Sequence, residues 1–146
     1  MFLIFSCNKN QKDAERALLS QYLEENNIIK DPVADGLYII ENGFSTSESS
    51  DFPQKGDTLI IIYKGYLLSD QNIVFDEKTI DNPGKYVYLT DKVIPGWEKA
   101  VGLMKKNMPA LLIMSSDWAY KGHQTGIIPP YSTLIFEVRI VEIIKP

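Results

Sequence analysis

Six aromatic side chains, Tyr63, Phe75, Tyr86, Trp97, Tyr120 and Phe136, fall where the strand pattern turns inward or where an element ends. Such a set has two physical uses. It can fill the core of a small domain, or it can leave one aromatic-lined cavity for an apolar ligand, the default form of a binding site. Phe75-Asp76 and Trp118-Ala119-Tyr120 add a carboxylate and a phenol near loop edges. Acid–base and nucleophilic chemistry have little to work with. His123 is the only imidazole of the chain, and it sits in a Lys-Gly-His-Gln loop, where an exposed histidine is the ordinary expectation. No glycine-rich phosphate loop joins a strand to a helix, and no Asp-rich metal loop occurs. A single cysteine excludes an intrachain disulfide and a multi-cysteine zinc site, and the single histidine excludes a His-rich one. No cofactor and no metal are expected.

The elements that must position these residues follow from periodicity. Residues 58–68 are rich in β-branched and aromatic types and predict a long strand, with Gly65 as a bulge or bend. Residues 36–41, 73–76 and 86–89 predict shorter strands, and the uniformly apolar 111–114 a buried one. Residues 133–144 alternate, with Leu134, Phe136, Val138 and Ile140 on one side and Ile135, Glu137, Arg139 and Val141 on the other, as in a half-buried strand. Residues 42–55, 78–85 and 118–131 read as loops. Pro95-Gly96 opens a short helix in which Trp97, Val101 and Met104 share a face. In residues 11–26 Ala14, Leu18 and Tyr22, with Leu19 and Leu23 beside them, recur at helical spacing. That helix either packs on the main domain or meets a second copy. The expected class is α+β: an antiparallel sheet of about five strands wrapped around one short helix, with an N-terminal helical extension.

Composition agrees with a cored protein: 45% of residues are hydrophobic and 23% charged, outside the disordered range. The net charge of −4 offers no electrostatic footprint for nucleic acid. No apolar run approaches the roughly 20 residues that span a bilayer as a helix.

Four motifs then occur in order: Gly56-Asp57-Thr58 with Tyr63-Lys64-Gly65-Tyr66-Leu67; Phe75-Asp76; Val93-Ile94-Pro95-Gly96-Trp97-Glu98-Lys99-Ala100; and Trp118-Ala119-Tyr120 with Gly126-Ile127-Ile128-Pro129-Pro130 and Leu134-Ile135-Phe136-Glu137-Val138. Together they resemble the FKBP-type peptidyl-prolyl cis-trans isomerases, and the resemblance runs over about residues 36–144. It implies a curved sheet over the Trp97 helix with the ligand pocket between them. It also implies roles. Trp97 would be the pocket floor, and Tyr63, Phe75, Tyr86, Val93, Ile94, Ile128 and Phe136 its walls, with Ile127 a further contact. Asp76 would accept a hydrogen bond from Tyr63. The Ile94 N–H and the Tyr120 hydroxyl would bind substrate carbonyls. The implied activity is rotation about X-Pro bonds, assisting the folding of exported proteins. The alternative is a binding module or chaperone of the same fold with little or no turnover. Implied ligands are proline-containing peptides, unfolded exported proteins and macrolide inhibitors.

The sequence departs from that pattern in places. The loop after Asp76 reads Glu77-Lys78-Thr79-Ile80-Asp81, without the arginine many relatives carry. Lys92 stands where an acidic residue is frequent, Trp118 where tyrosine is usual, and the loop at 121–125 is about one residue shorter, leaving either His123 or Gln124 where relatives often have histidine. At the other end, Ile4-Phe5-Ser6-Cys7 resembles the end of a bacterial lipoprotein signal, as in lipoprotein members of the family from Bacteroidetes-type bacteria. The expected organisation is therefore a signal remnant over 1–7 ending at a lipidated Cys7, a helical extension over 8–34 with a possible homodimer contact on its helix, and an isomerase domain over 35–146. The expected location is the bacterial cell envelope, in the periplasm or on the outer membrane, with membrane contact only through the lipid.

Overall fold

The computed structural model describes residues 2–42 and 51–146; the serine-rich part of the loop expected over 42–55 lies outside them. The element order is α1 (Phe2–Glu25), β1 (Leu37–Glu41), β2 (Thr58–Leu67), β3 (Val74–Lys78), β4 (Gly84–Val87), α2 (Pro95–Val101), β5 (Ala110–Met114) and β6 (Leu134–Ile144), with a 3-10 turn at Ser116–Trp118.

All strand pairings are antiparallel, in a six-stranded sheet ordered β1-β5-β6-β2-β3. The count is one above the expected number because β4 shares an edge of β2 with β3. β4 pairs residues 58–61 of β2, and β3 pairs residues 63–66. The long β2 and β6 lie side by side from Thr58↔Ile144 to Leu67↔Leu134, broken by one bulge at Ile60/Ile61. A second irregularity, between Gly65 and Tyr66 opposite β3, falls at the glycine marked as a bulge. Such insertions bend a strand and increase its twist.

One face of the sheet receives α2. Leu59, Ile61, Leu134, Val138 and Ile140 bury against Trp97, Ala100, Val101 and Met104 in one cluster. α2 starts where Ile94, held extended by the following proline, gives way to Pro95, whose fixed φ suits the first helical turn.

The other face of the sheet is covered in part as well. α1 lies across it, so that Leu19 with Tyr22 and Leu23 cover Tyr66, Leu68, Ile113 and Ile135, the last fully buried. α1 extends N-terminally beyond residue 11 and packs on the domain through a stripe that includes Glu15 and Leu19, whereas Ala14 and Leu18 are exposed. Glu15 is 8% exposed. Its carboxylate accepts hydrogen bonds from the Ser116 N–H (2.6 Å), the Ser116 hydroxyl (2.6 Å) and the Thr133 hydroxyl (2.7 Å). Lys12 pairs with Asp117 at 3.0 Å beside it. A carboxylate can be buried there because its charge is met by three donors.

Two further boundaries differ from expectation. The polar segment 78–85 is strand at both ends, since Lys78 closes β3 and Gly84-Lys85 open β4. Edge strands carry charged residues without losing their ladder. The strand expected over 86–89 stops at Val87, where the chain turns and Leu89 adopts a left-handed φ of 58°.

Candidate functional site

Between α2 and the sheet lies a cavity of about 640 Å³, within the range of sites that hold small ligands. Its base is aromatic. Trp97 rises from the first turn of α2, with the Tyr63 ring from β2 at 5.0 Å and the Phe136 ring from β6 at 5.0 Å, both edge-on. Phe75 from β3 meets Phe136 at 5.4 Å and 87°. Edge-to-face packing of this kind fixes ring orientation as well as burying area.

Gly65 makes the cluster possible. A Cβ at that position would stand 2.7 Å from Phe75 and 2.8 Å from Phe136, inside van der Waals contact. The glycine lets the two rings cross over the backbone of β2, and the irregularity there is the local cost.

Polar groups sit at the rim. The Tyr63 hydroxyl donates to Asp76 Oδ2 at 2.6 Å. Among the described residues the Ile94 N–H meets no acceptor, while the Ile94 carbonyl accepts from the Glu98 N–H at 3.2 Å as α2 begins. Tyr120 follows the 3-10 turn, whose Ser116 carbonyl accepts from the N–H groups of Ala119 and Lys121. Ile127 projects from a tight hairpin closed by reciprocal Thr125–Ile128 backbone hydrogen bonds, with Gly126 at φ 56°. Ile128 is buried beneath it.

Burial dominates the ionisation of these phenols. It pushes Tyr63 well above its ordinary range, and the negative charge of Asp76, to which its hydroxyl donates, pushes further. Tyr120 is raised by burial and then by Asp76. Burial also raises Tyr86, although the Trp97 indole opposes the shift in part; the Tyr86 hydroxyl is buried without a partner at hydrogen-bonding geometry. Outside the cavity burial lifts Tyr66 to about 12. Because the folded state holds these protons more tightly than the unfolded chain, their contribution is complete below the ordinary phenol value of 10.0 and is lost as pH rises above it. The urea midpoint is therefore expected to fall progressively between about pH 10 and 12. A midpoint that stays level across that interval would contradict the burial assigned to these rings.

Every pocket residue expected from the sequence lines this one cavity: Tyr63, Phe75, Asp76, Tyr86, Val93, Ile94, Trp97, Tyr120, Ile127, Ile128 and Phe136. His123 is exposed and not among the lining residues. Trp118 is not either. Its indole donates to the Asp35 carbonyl at 2.7 Å, and its Cβ lies 2.9 Å from where a Cβ on Gly96 would stand, so it braces the start of α2. Cys7 is exposed on α1. Sequence reasoning missed Ile61, Lys78, Pro83, Gly84, Lys85, Lys92, Thr125 and Gly126 as lining residues. Ile61 had a signal in its period-2 relation to Tyr63; Lys78 and Lys85 had none, because the segment read as solvated loop. No cluster of His, Cys, Asp or Glu able to hold a metal occurs among the described residues.

Comparison with known proteins agrees with this geometry. Peptidyl-prolyl cis-trans isomerase FKBP1A of Xenopus laevis is 39% identical over 95 residues, covering 63% of this chain and 85% of the relative. FK506-binding protein 1B of Aspergillus fumigatus is 37% identical over 101 residues, covering 64% and 83% respectively. Among solved structures, a peptidyl-prolyl cis-trans isomerase of Pseudomonas syringae superposes with a TM-score of 0.74 at 25% identity, over 94% of this chain and 96% of the other. FkpA of Escherichia coli superposes with a TM-score of 0.73 at 26% identity over 96% of this chain, which spans 64% of the FkpA chain. Residues 49–141 match the profile of one family across β2 to β6, the stretch that builds the cavity, and the chain accordingly belongs to the FKBP-type peptidyl-prolyl cis-trans isomerases.

Proposed function

We propose that the cavity over Trp97 is the place where this isomerase turns X-Pro bonds. An X-Pro link rotates slowly because amide resonance sets a barrier of ~18–20 kcal/mol. The rotation breaks no covalent bond and moves no proton, so an acid–base pair is not required. As the bond twists, the amide loses the charge separation that resonance gave it. A dry aromatic pocket therefore favours the twisted form over the planar one, and catalysis is differential binding of that form. In this reading the proline ring packs on the Trp97 indole between Tyr63, Phe75 and Phe136. Tyr86, Val93, Ile127 and Ile128 close the remaining walls. The unpaired Ile94 N–H and the Tyr120 hydroxyl hold carbonyls on either side while one end of the chain turns. The observation that carries the reading is the open volume above an indole ring, with an unsatisfied backbone donor at its edge.

A protease-coupled assay on an X-Pro peptide tests it. The folded protein is expected to accelerate isomerisation. Asp76→Asn weakens the restraint on Tyr63 and is expected to lower kcat/KM about fivefold, the equivalent of one hydrogen bond of about 1 kcal/mol at an exposed rim. Full activity in that variant would remove Asp76 from the machinery. Suppression of client aggregation without any acceleration would favour the binding-module alternative.

The same reading sets the enzyme to work on exported chains in a bacterial envelope, held there by lipid on Cys7. The Ile4-Phe5-Ser6-Cys7 stretch and the exposure of Cys7 support it. Mass spectrometry of the N-terminus from the native host is the test.

A further inference from the structure

Three lysines, Lys78, Lys85 and Lys92, are among the residues that line the cavity. Lys78 ends β3 opposite Tyr63, and its stem runs beside Gly84, 3.4 Å from where a Cβ there would stand. Lys85 follows in β4, and Lys92 stands in the segment before α2, two residues ahead of Ile94. The ion pairs among the described residues are Lys12–Asp117 and Lys145–Asp57, so none of the three rim lysines has an anionic partner there. Asp76 is the one acidic residue lining the cavity, and its carboxylate is engaged by Tyr63. The hairpin residues that line it, Thr125, Gly126 and Ile127, are uncharged. A chain of net charge −4 thus presents a locally cationic edge at the mouth of its only strongly aromatic cavity among the described residues.

From this we infer a substrate class: proline-containing segments that carry aspartate or glutamate next to, or one residue removed from, the proline. The inference rests on the cavity being the isomerase site. The lysines need not touch the reacting amide. Unpaired cations at a concave rim attract a flanking carboxylate, raising encounter and holding the segment while the proline enters, and they oppose a flanking lysine. Three solvent-facing charges act mainly through the local potential, so the preference must weaken with salt.

The test uses neutral-capped peptides that differ in one residue, Glu, Gln or Lys, placed immediately before the proline or two residues after it. Isomerisation is followed by NMR exchange, which needs no coupling protease. At low salt kcat/KM is expected to be about tenfold higher for the Glu than for the Lys peptide in at least one of the two placements, falling toward about twofold in 0.5 M salt. In the Lys78→Gln/Lys85→Gln/Lys92→Gln protein the Glu-to-Lys ratio is expected to collapse to near one. Turnover of the Gln peptide with equal rates for Glu and Lys in both placements would overturn the charge preference and leave the site assignment standing. A preference that survives the triple substitution would overturn the role given to these lysines. No turnover of any peptide by folded protein would overturn both readings together.

Discussion

Replacing Glu15 with leucine is expected to destabilise the protein by about 2–4 kcal/mol, because it leaves buried donors without an acceptor. The Ser116 N–H, the Ser116 hydroxyl and the Thr133 hydroxyl all point at this carboxylate, and Ser116 and Thr133 are 1% and 5% exposed. No gain in apolar burial offsets the loss, since the leucine would sit among these same donors. Glu15→Gln separates chemistry from shape. Its remaining carbonyl oxygen can still accept from the backbone N–H, so its cost should stay below about 1.5 kcal/mol. Urea unfolding gives both values from the shift of midpoint at constant slope. The leucine protein should also lose resistance to proteolysis in α1, whose other ties to the domain among the described residues are the packing of Leu19, Tyr22 and Leu23 and the exposed Lys12–Asp117 pair. A leucine variant as stable as the parent would mean that α1 does not dock as described.

Phe136→Ala carries the largest combined effect. The ring is 5% exposed and meets Tyr63, Phe75 and Trp97 at 6.1, 5.4 and 5.0 Å. Truncating a buried phenylalanine costs about 3–5 kcal/mol. The low end is expected here, since one side of the ring already faces an open cavity. Activity should fall further than stability suggests. Phe136 sets the tilt of Trp97 and Tyr63 together, so kcat/KM in the proposed site is expected to drop more than about tenfold at temperatures where the variant is fully folded, an effect of ~1.4 kcal/mol or more on the barrier. Phe136→Leu keeps most of the volume and should recover stability before activity. If both variants retained the parent rate while folded, the turnover would have to occur elsewhere.

What could be read from the chain alone follows a physical rule. The inward aromatic set was legible because its residues carry local signatures: Pro95 and Gly96 announce the helix that lifts Trp97, Gly65 marks the irregularity, and the period-2 pattern of β6 turns Phe136 inward, whereas the open cavity among them was implied only by the family resemblance. The mode of docking of α1 was not. Glu15 is a charged residue, and charge argues for solvent unless its partners are known; those partners lie 101 and 118 positions away. The apolar stripe through Ala14 and Leu18 was for that reason placed one step around the helix from the face that packs. Ile135, on the second side of a strand read as half-buried, is fully buried in the cluster that α1 completes. The rim lysines were hidden because edge strands tolerate charge, so that β3 and β4 read as loop where Lys78 and Lys85 stand.

The position of β6 between β5 and β2 bears on how the molecule is made. The strand that zips the sheet together is the last of the six strands, and its partner β2 lies far upstream, as in Thr58↔Ile144. During vectorial synthesis the upstream strands must wait, unzipped, until that segment emerges. Closure over so long a separation is slow. An emerging polypeptide arrested at residue 133 should therefore show neither protease resistance nor isomerase turnover, and both should arise together once residues 134–144 are released.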